Sequence, residues 1–220
     1  MSRLLIIAEG QTEEKFLKEI VFPYFYDKGL YDISVSILPS KTTASGKRHK
    51  GGFVTSKKIL KYANKLLYSG YVTTFLDYYG IDEDFVGYQD SLVLRTIKEK
   101  KECLEHALKN DLSSDLFIPY IQMHEFEGLL FSNLDSFLFV EDDKEKLEIL
   151  KSEISLFHTP EHVNNSRITA PSKRIKRIYP SYGKVSDGIL VAEDIGINKI
   201  LSECSLFNEW IEKIEKILRK

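Results

Sequence analysis

Four carboxylates stand where apolar runs end. Glu9 closes "LLIIAE", Asp77 closes "YVTTFLD", and Glu125 and Glu127 follow "LFIPYIQ" within "MHEFEGLL". Any one of them alone reads as a solvated loop residue. Repetition argues otherwise, because carboxylates gathered in one place repel unless a cation neutralises them, and oxygen-only donors suit Mg²⁺ or Mn²⁺. A centre of that kind polarises a phosphoryl oxygen and activates water. His124, beside the last pair, has no second histidine or cysteine nearby with zinc-ligand spacing, so its expected part is to orient a carboxylate.

The elements that must bring these acids together are legible from periodicity. Leu4 to Ile7 is uninterrupted apolar sequence, which suits a strand covered on both faces. Gly10 permits a turn, Thr12 is the expected N-cap, and Glu13 and Glu14 suit the positive end of a helix dipole over 13–22, which Pro23 kinks or ends. Further strands are expected at 33–38, 71–77 and 116–122, with helices near 55–68 and 91–110 between them. Strands alternating with helices predict an α/β fold with a mostly parallel sheet flanked by helices. In such sheets ligands gather beyond the carboxyl ends of the strands, which is where the four acids lie. After residue 133 helical periodicity dominates (144–157, 171–179, 187–218), so the division expected is an α/β domain over 1–133 and a helical C-terminal part over 134–220 packed on it.

Two basic stretches accompany the acids. Residues 39–58 carry Lys41, Lys47, Arg48, Lys50, Lys57 and Lys58 without an acid, and 167–184 carry six basic residues, again without an acid. A solvated face explains either one alone. Beside an acidic centre they offer phosphate contacts, with Arg48, Lys50, Lys173, Arg174 and Lys184 as the nucleic-acid-binding candidates.

Composition narrows the rest. The 220 residues are 43% hydrophobic and 29% charged with net charge −2, ordinary for a soluble protein and no bar to nucleic acid, because local patches govern such binding. No apolar run approaches a membrane span and the N-terminus lacks a signal-peptide pattern, so a cytoplasmic protein without membrane association is expected. Cys103 and Cys204 lack metal-ligand spacing and read as small packed side chains. Dinucleotide and P-loop fingerprints are absent, and Glu13 and Glu14 would repel phosphate from the first helix. No nucleophile elbow or Cys/His pairing is present either.

The segments "AEGQTEE", "KGG" at 50–52, "TTFLDYYGI", "YIQMHEFEGLLF" and "APSKRI" together resemble the bacterial DUF4276 family, and over most of the chain. That family is similar to the Toprim nuclease-primase fold, in the version found in overcoming-lysogenization-defect nucleases. The resemblance implies a Toprim-like α/β fold and metal-dependent phosphodiester hydrolysis of DNA or RNA in an anti-phage, abortive-infection setting, often with an ATPase encoded nearby. A homo-oligomer is compatible with it. By the resemblance Glu9 takes the place of the first-strand glutamate and Asp77 the first position of the D-x-D motif. The second position holds Tyr79, so the missing carboxylate falls to Glu125 or Glu127. Glu9, Asp77, Glu125 and Glu127 are thus the expected metal ligands and, with His124, the expected catalytic group. The rival expectation is a non-catalytic module that docks on a partner ATPase.

Overall fold

A computed structural model describes residues 3–39, 54–163, 166 and 168–220. Arg48 and Lys50 lie outside the described residues. Five strands form one sheet: β1 (Leu4–Ala8), β2 (Ile33–Ile37), β3 (Tyr71–Asp77), β4 (Phe117–Ile118) and β5 (Ile121–Gln122). Every pairing is parallel, with β1 between β2 and β3 and with β4 and β5 both on the far side of β3. The register sets Ala8 beside Phe75, so β3 runs two residues beyond β1 before it ends at Asp77.

The unbroken apolar character of β1 has its expected cause. Leu4, Ile6 and Ala8 enter one core, while Leu5 and Ile7 enter a second on the opposite face. The second core is closed by α3 (Ser56–Leu66) and α5 (Ile97–Leu112) through Ile59, Ala63, Leu104 and Leu108. The first is larger. It takes α1 (Gln11–Phe16) and α2 (Phe22–Tyr26), then the helices after residue 133: α6 (Lys144–Ile154), α7 (Pro171–Ile178), α8 (Asp187–Ile195), α9 (Ile197–Glu203) and α10 (Ser205–Leu218). The C-terminal helices therefore build no core of their own: Phe207, Trp210 and Ile214 pack in the same cluster as Leu4, Ile6 and Phe75. Among the described residues no helix is long and apolar enough to cross a membrane.

Several expected boundaries move, each for a local reason. The first helix starts earlier, at Gln11 after the extended Gly10, which leaves Thr12 buried inside the helix and without a capping role. Pro23 does not end it; Leu17–Val21 widens into a π-helical turn and the chain stays helical to Tyr26. The helix expected from Ser91 begins at Ile97, where Thr96 and Glu99 form a capping box, and Tyr88–Leu92 is a separate short helix, α4. The strand expected over 116–122 is broken at Pro119, which has no N–H for the ladder. Thr74 bridges the gap with its side chain: Oγ1 accepts from the Tyr120 N–H at 2.8 Å and donates to the Tyr120 carbonyl at 2.7 Å. The stretch 187–218 divides at Gly196, whose φ of +75° suits glycine, and again at Cys204.

Candidate functional site

Parallel pairing places the carboxyl ends of β1, β3 and β5 on one edge, and three of the four candidate acids meet there. Glu9 leaves β1, Asp77 ends β3, and Glu127 lies in the 3₁₀ segment Phe126–Ser132 that follows β5. An aromatic floor holds these elements in place. Phe16 of α1 packs on Phe75 of β3 at 5.9 Å and on Phe126 at 4.9 Å between ring centroids, so the backbone around Glu13, Asp77 and Glu127 is tied to one cluster.

Each acid is held differently. Asp77 is buried, and its Oδ1 accepts a 2.9 Å hydrogen bond from the Phe126 N–H, which fixes the carboxylate to the segment carrying Glu127. Glu127 is fully buried; its Oε2 faces the Lys184 ammonium at 3.2 Å, and its Oε1 has no hydrogen-bond partner among the described residues. Glu9 has one shielded oxygen, Oε2, in the same condition. Gly80 lies against the Glu9 carboxylate: a Cβ at that position would stand 3.1 Å from both oxygens, so a glycine there leaves room for the acid.

Two residues join the site from outside the expected set of ligands. Glu13, which its position assigns to the helix dipole, is buried and faces the cluster. Lys184, expected on phosphate, sends its ammonium inward, 3.2 Å from Glu127 Oε2, 3.6 Å from Glu13 Oε1 and 3.7 Å from Asp77 Oδ2. At 36% exposure its side chain still reaches solvent. The signal for Glu13 was present in the sequence, since a turn of four residues after Glu9 returns the chain to the same strand end. Nothing local pointed Lys184 inward.

The remaining candidates are engaged elsewhere. Glu125 accepts from the Ser172 N–H at 2.8 Å and from the Ser172 hydroxyl at 3.0 Å, so it caps the start of α7. Of the two acids left open to replace the one missing at Tyr79, Glu127 is thus the one turned into the cluster. Tyr79 itself is half-buried and ties the β3 end to the β5 end through its N–H on the His124 carbonyl, at 2.9 Å. His124 does not orient a carboxylate: it is buried at φ +66°, and both ring nitrogens lack partners among the described residues. Burial lowers its pKa to about 4, which leaves the ring neutral. Arg174 pairs with Glu153 at 3.0 Å and donates to the Thr169 carbonyl, while Lys173 is exposed on the same helix, away from the acid cluster's ion pairs.

The electrostatics follow from four acids facing one lysine. Burial first, then repulsion from Glu13, pushes the Glu9 carboxyl up to about 7, against the pull of Lys184. Burial and the neighbouring Glu125 carry Glu127 to about 7 as well. Asp77 is raised by burial and by Glu13, Glu9 and Glu127. Burial opposes the charge on Lys184, but Asp77, Glu127 and Glu13 outweigh it and hold the ammonium firmly protonated. At neutral pH the cluster is therefore short of positive charge and retains part of its protons. The donors fit a hard cation in chemistry, being carboxylate oxygens of which two, Glu9 Oε2 and Glu127 Oε1, have no donor among the described residues. In arrangement they stand around the Lys184 ammonium, and among the described residues no three His, Cys, Asp or Glu side chains are gathered as a ready ligand set.

Among protein families, the model for a domain of unknown function, DUF4276, matches residues 8–215. No curated protein and no solved structure matches the chain.

Proposed function

Since the chain belongs to the DUF4276 family, whose description assigns no activity, we propose from the site itself that it is a divalent-metal-dependent phosphodiesterase acting on nucleic acid. One observation carries this reading: buried carboxylates from β3, α1 and the segment after β5 and the half-buried Glu9 after β1 gather at the carboxyl edge of a parallel sheet, with Lys184 among them. Glu9, Asp77 and Glu127 would hold Mg²⁺ or Mn²⁺, which supplies charge neutralisation at a phosphodiester oxygen. The chain's own groups account for the rest. Glu9 and Glu127, raised toward 7 in the metal-free chain, would have to give up their protons on binding the ion, so uptake of the metal would strengthen with pH. Lys184 presents a fixed positive charge toward the same point, where negative charge develops on phosphate. The Phe126 N–H keeps Asp77 from rotating away. The resemblance to Toprim-type nucleases supports the same chemistry and suggests an anti-phage setting with an ATPase partner.

A second reading is favoured by one specific feature. Lys184 already contacts three of the acids, which is what a purely structural ion cluster in a partner-docking module would show. Calorimetric titration with Mn²⁺, beside cleavage of labelled DNA and RNA, separates the two. Glu9→Gln, Asp77→Asn and Glu127→Gln are each expected to lower Mn²⁺ affinity about tenfold or more and to abolish cleavage, with Glu125→Gln milder because that carboxylate is committed to α7. Weak and identical Mn²⁺ binding in the wild type and all four variants would replace the phosphodiesterase by the docking module.

A further inference from the structure

Helix α3 reads "SKKILKYANKL" and contains Lys57, Lys58, Lys61 and Lys65 but no acid. Among the described residues none of the four ammonium groups makes an ion pair or a hydrogen bond. The acid-free sequence of 39–55 brings no carboxylate to them either. In the second basic stretch Arg174 and Arg177 both pair with Glu153 and Lys184 serves the acid cluster, which leaves Lys173 and Lys176 exposed there. Helix α3 thus carries four lysines without an ion pair among the described residues; Lys57 and Lys58 belong to the basic stretch read from the sequence, and Lys61 and Lys65 extend it along the helix.

Three of these lysines share a face. Lys58, Lys61 and Lys65, at spacings of three and four, line a cleft of about 180 Å³ together with Tyr62 and Pro39. Lysine stems, Pro39 and the Tyr62 ring make its walls apolar, while the ammonium groups are free to stand at its rim. Tyr62 is tied to β2 by a 2.6 Å hydrogen bond with Ser36, so the cleft follows the edge strand of the sheet.

Its direction is set by topology. In a parallel β2–α3–β3 unit the helix starts at the carboxyl edge and runs back along the sheet. Val54, just before α3, donates from its N–H to the carbonyl of Gly80, the residue packed on the Glu9 carboxylate. Lys58 at the near end lies close enough to Glu9 to favour its ionised form. Lys61 and Lys65 follow at about 4.5 and 10.5 Å along the helix axis at 1.5 Å per residue. Those intervals match a strand carrying a charge every few ångströms.

We propose that this face of α3 is the track for a single nucleic-acid strand, with Lys58, Lys61 and Lys65 on its phosphates and the strand leading to the Glu9–Asp77–Glu127 edge. The apolar walls receive a base or ribose against Tyr62. The destination of the strand rests on the phosphodiesterase reading; the binding does not.

Fluorescence anisotropy of a labelled single-stranded oligonucleotide, in EDTA and over a range of salt, tests the track without any catalysis. Lys61→Glu with Lys65→Glu is expected to weaken binding tenfold or more and to flatten log K against log[salt] by about 1.4, roughly 0.7 for each phosphate no longer neutralised. Lys61→Arg with Lys65→Arg should keep the wild-type slope. Both lysines are exposed, and equal melting temperatures would show that the fold is intact. No binding by the wild type, equal slopes in wild type and the glutamate variant, or binding of anionic phospholipid vesicles in place of the oligonucleotide would each overturn the track. Loss of binding in the glutamate variant while the acid cluster proves unable to bind Mn²⁺ would uphold the track and remove only the phosphodiesterase.

Discussion

At the scale of single residues, the decisive quantity is the imbalance between Glu9, Glu13, Asp77 and Glu127 on one side and Lys184 on the other. It has a consequence for stability as well as for chemistry. Glu9 and Glu127 have folded-state pKa values near 7, above the value of 4.5 that an exposed carboxyl takes. Between those limits the folded chain binds more protons than the unfolded one, so stability falls as pH rises from about 5 to about 7. The loss is of the order of a few kcal/mol for the cluster as a whole. Thermal melts in EDTA across that window should show Glu9→Gln nearly unchanged at pH 5 and more stable than wild type at pH 8. His124 acts in the opposite sense, since its lowered pKa costs stability as the pH falls below about 6.5 toward 4. A wild-type curve that rises steadily to pH 8 would show that the acids carry no such strain. Saturating Mn²⁺, if held by these acids, should reverse the trend, because ligand that binds only the folded state adds stability most where the carboxylates are ionised.

At the scale of elements, what aims the acids is the way short strands end. The β4–β5 segment carries Pro119 in its middle and reaches Glu125 and Glu127 only because Thr74 replaces the missing ladder bonds with its hydroxyl. Thr74→Val keeps the shape and removes both bonds, leaving the buried Tyr120 N–H and carbonyl without these partners. A loss of about 2 kcal/mol or more is expected in denaturant melts. Lower Mn²⁺ affinity should accompany it if the acids form a metal site, because the segment after β5 positions Glu127. A neutral effect on stability would mean that the break at Pro119 is satisfied in another way. Glu125 illustrates the same scale: in sequence it is Glu127's equal, yet the start of α7 claims it through Ser172.

At the scale of the whole molecule, one core joins the sheet to the C-terminal helices. Trp210 stacks on Tyr120 at 4.5 Å and 17° and donates its indole N–H to Thr73 Oγ1 at 2.9 Å, linking α10 to the strands that carry Asp77 and Glu127. Trp210→Ala should cost about 3–5 kcal/mol and, because the core is shared, far-UV and near-UV signals should be lost together in one transition. A melt in which a sheet signal outlives the helical one would show that residues 134–220 fold separately. The same joining explains how Lys184, distant from Glu127 in the chain, comes to lie against it.

The sequence by itself determined the parallel α/β sheet, because the unbroken apolar run Leu4–Ile7 and the β-branched and aromatic run Tyr71–Leu76 suit strands covered on both faces, and helical segments alternate with them. It also determined that Glu9 and Asp77 share an edge, since parallel strands put their ends together whatever surrounds them. Membership of DUF4276 was legible for a related reason: three of the motifs that carry it, "AEGQTEE", "TTFLDYYGI" and "YIQMHEFEGLLF", span the strand ends that hold the acids. Only the tertiary structure decided which way the side chains beyond those ends turn. Glu125 and Glu127 are two residues apart at a 3₁₀ segment, where the faces they present depend on packing by Phe126 rather than on a strand's alternation. The fate of the basic residues was likewise a matter of partners: a run of lysines and arginines has the same sequence signature whether its charges meet Glu153, enter a buried acid cluster, or remain free along α3. Charge pairing over such distances is settled by which helices pack on which face of the sheet, and that depends on the shared core rather than on any local pattern.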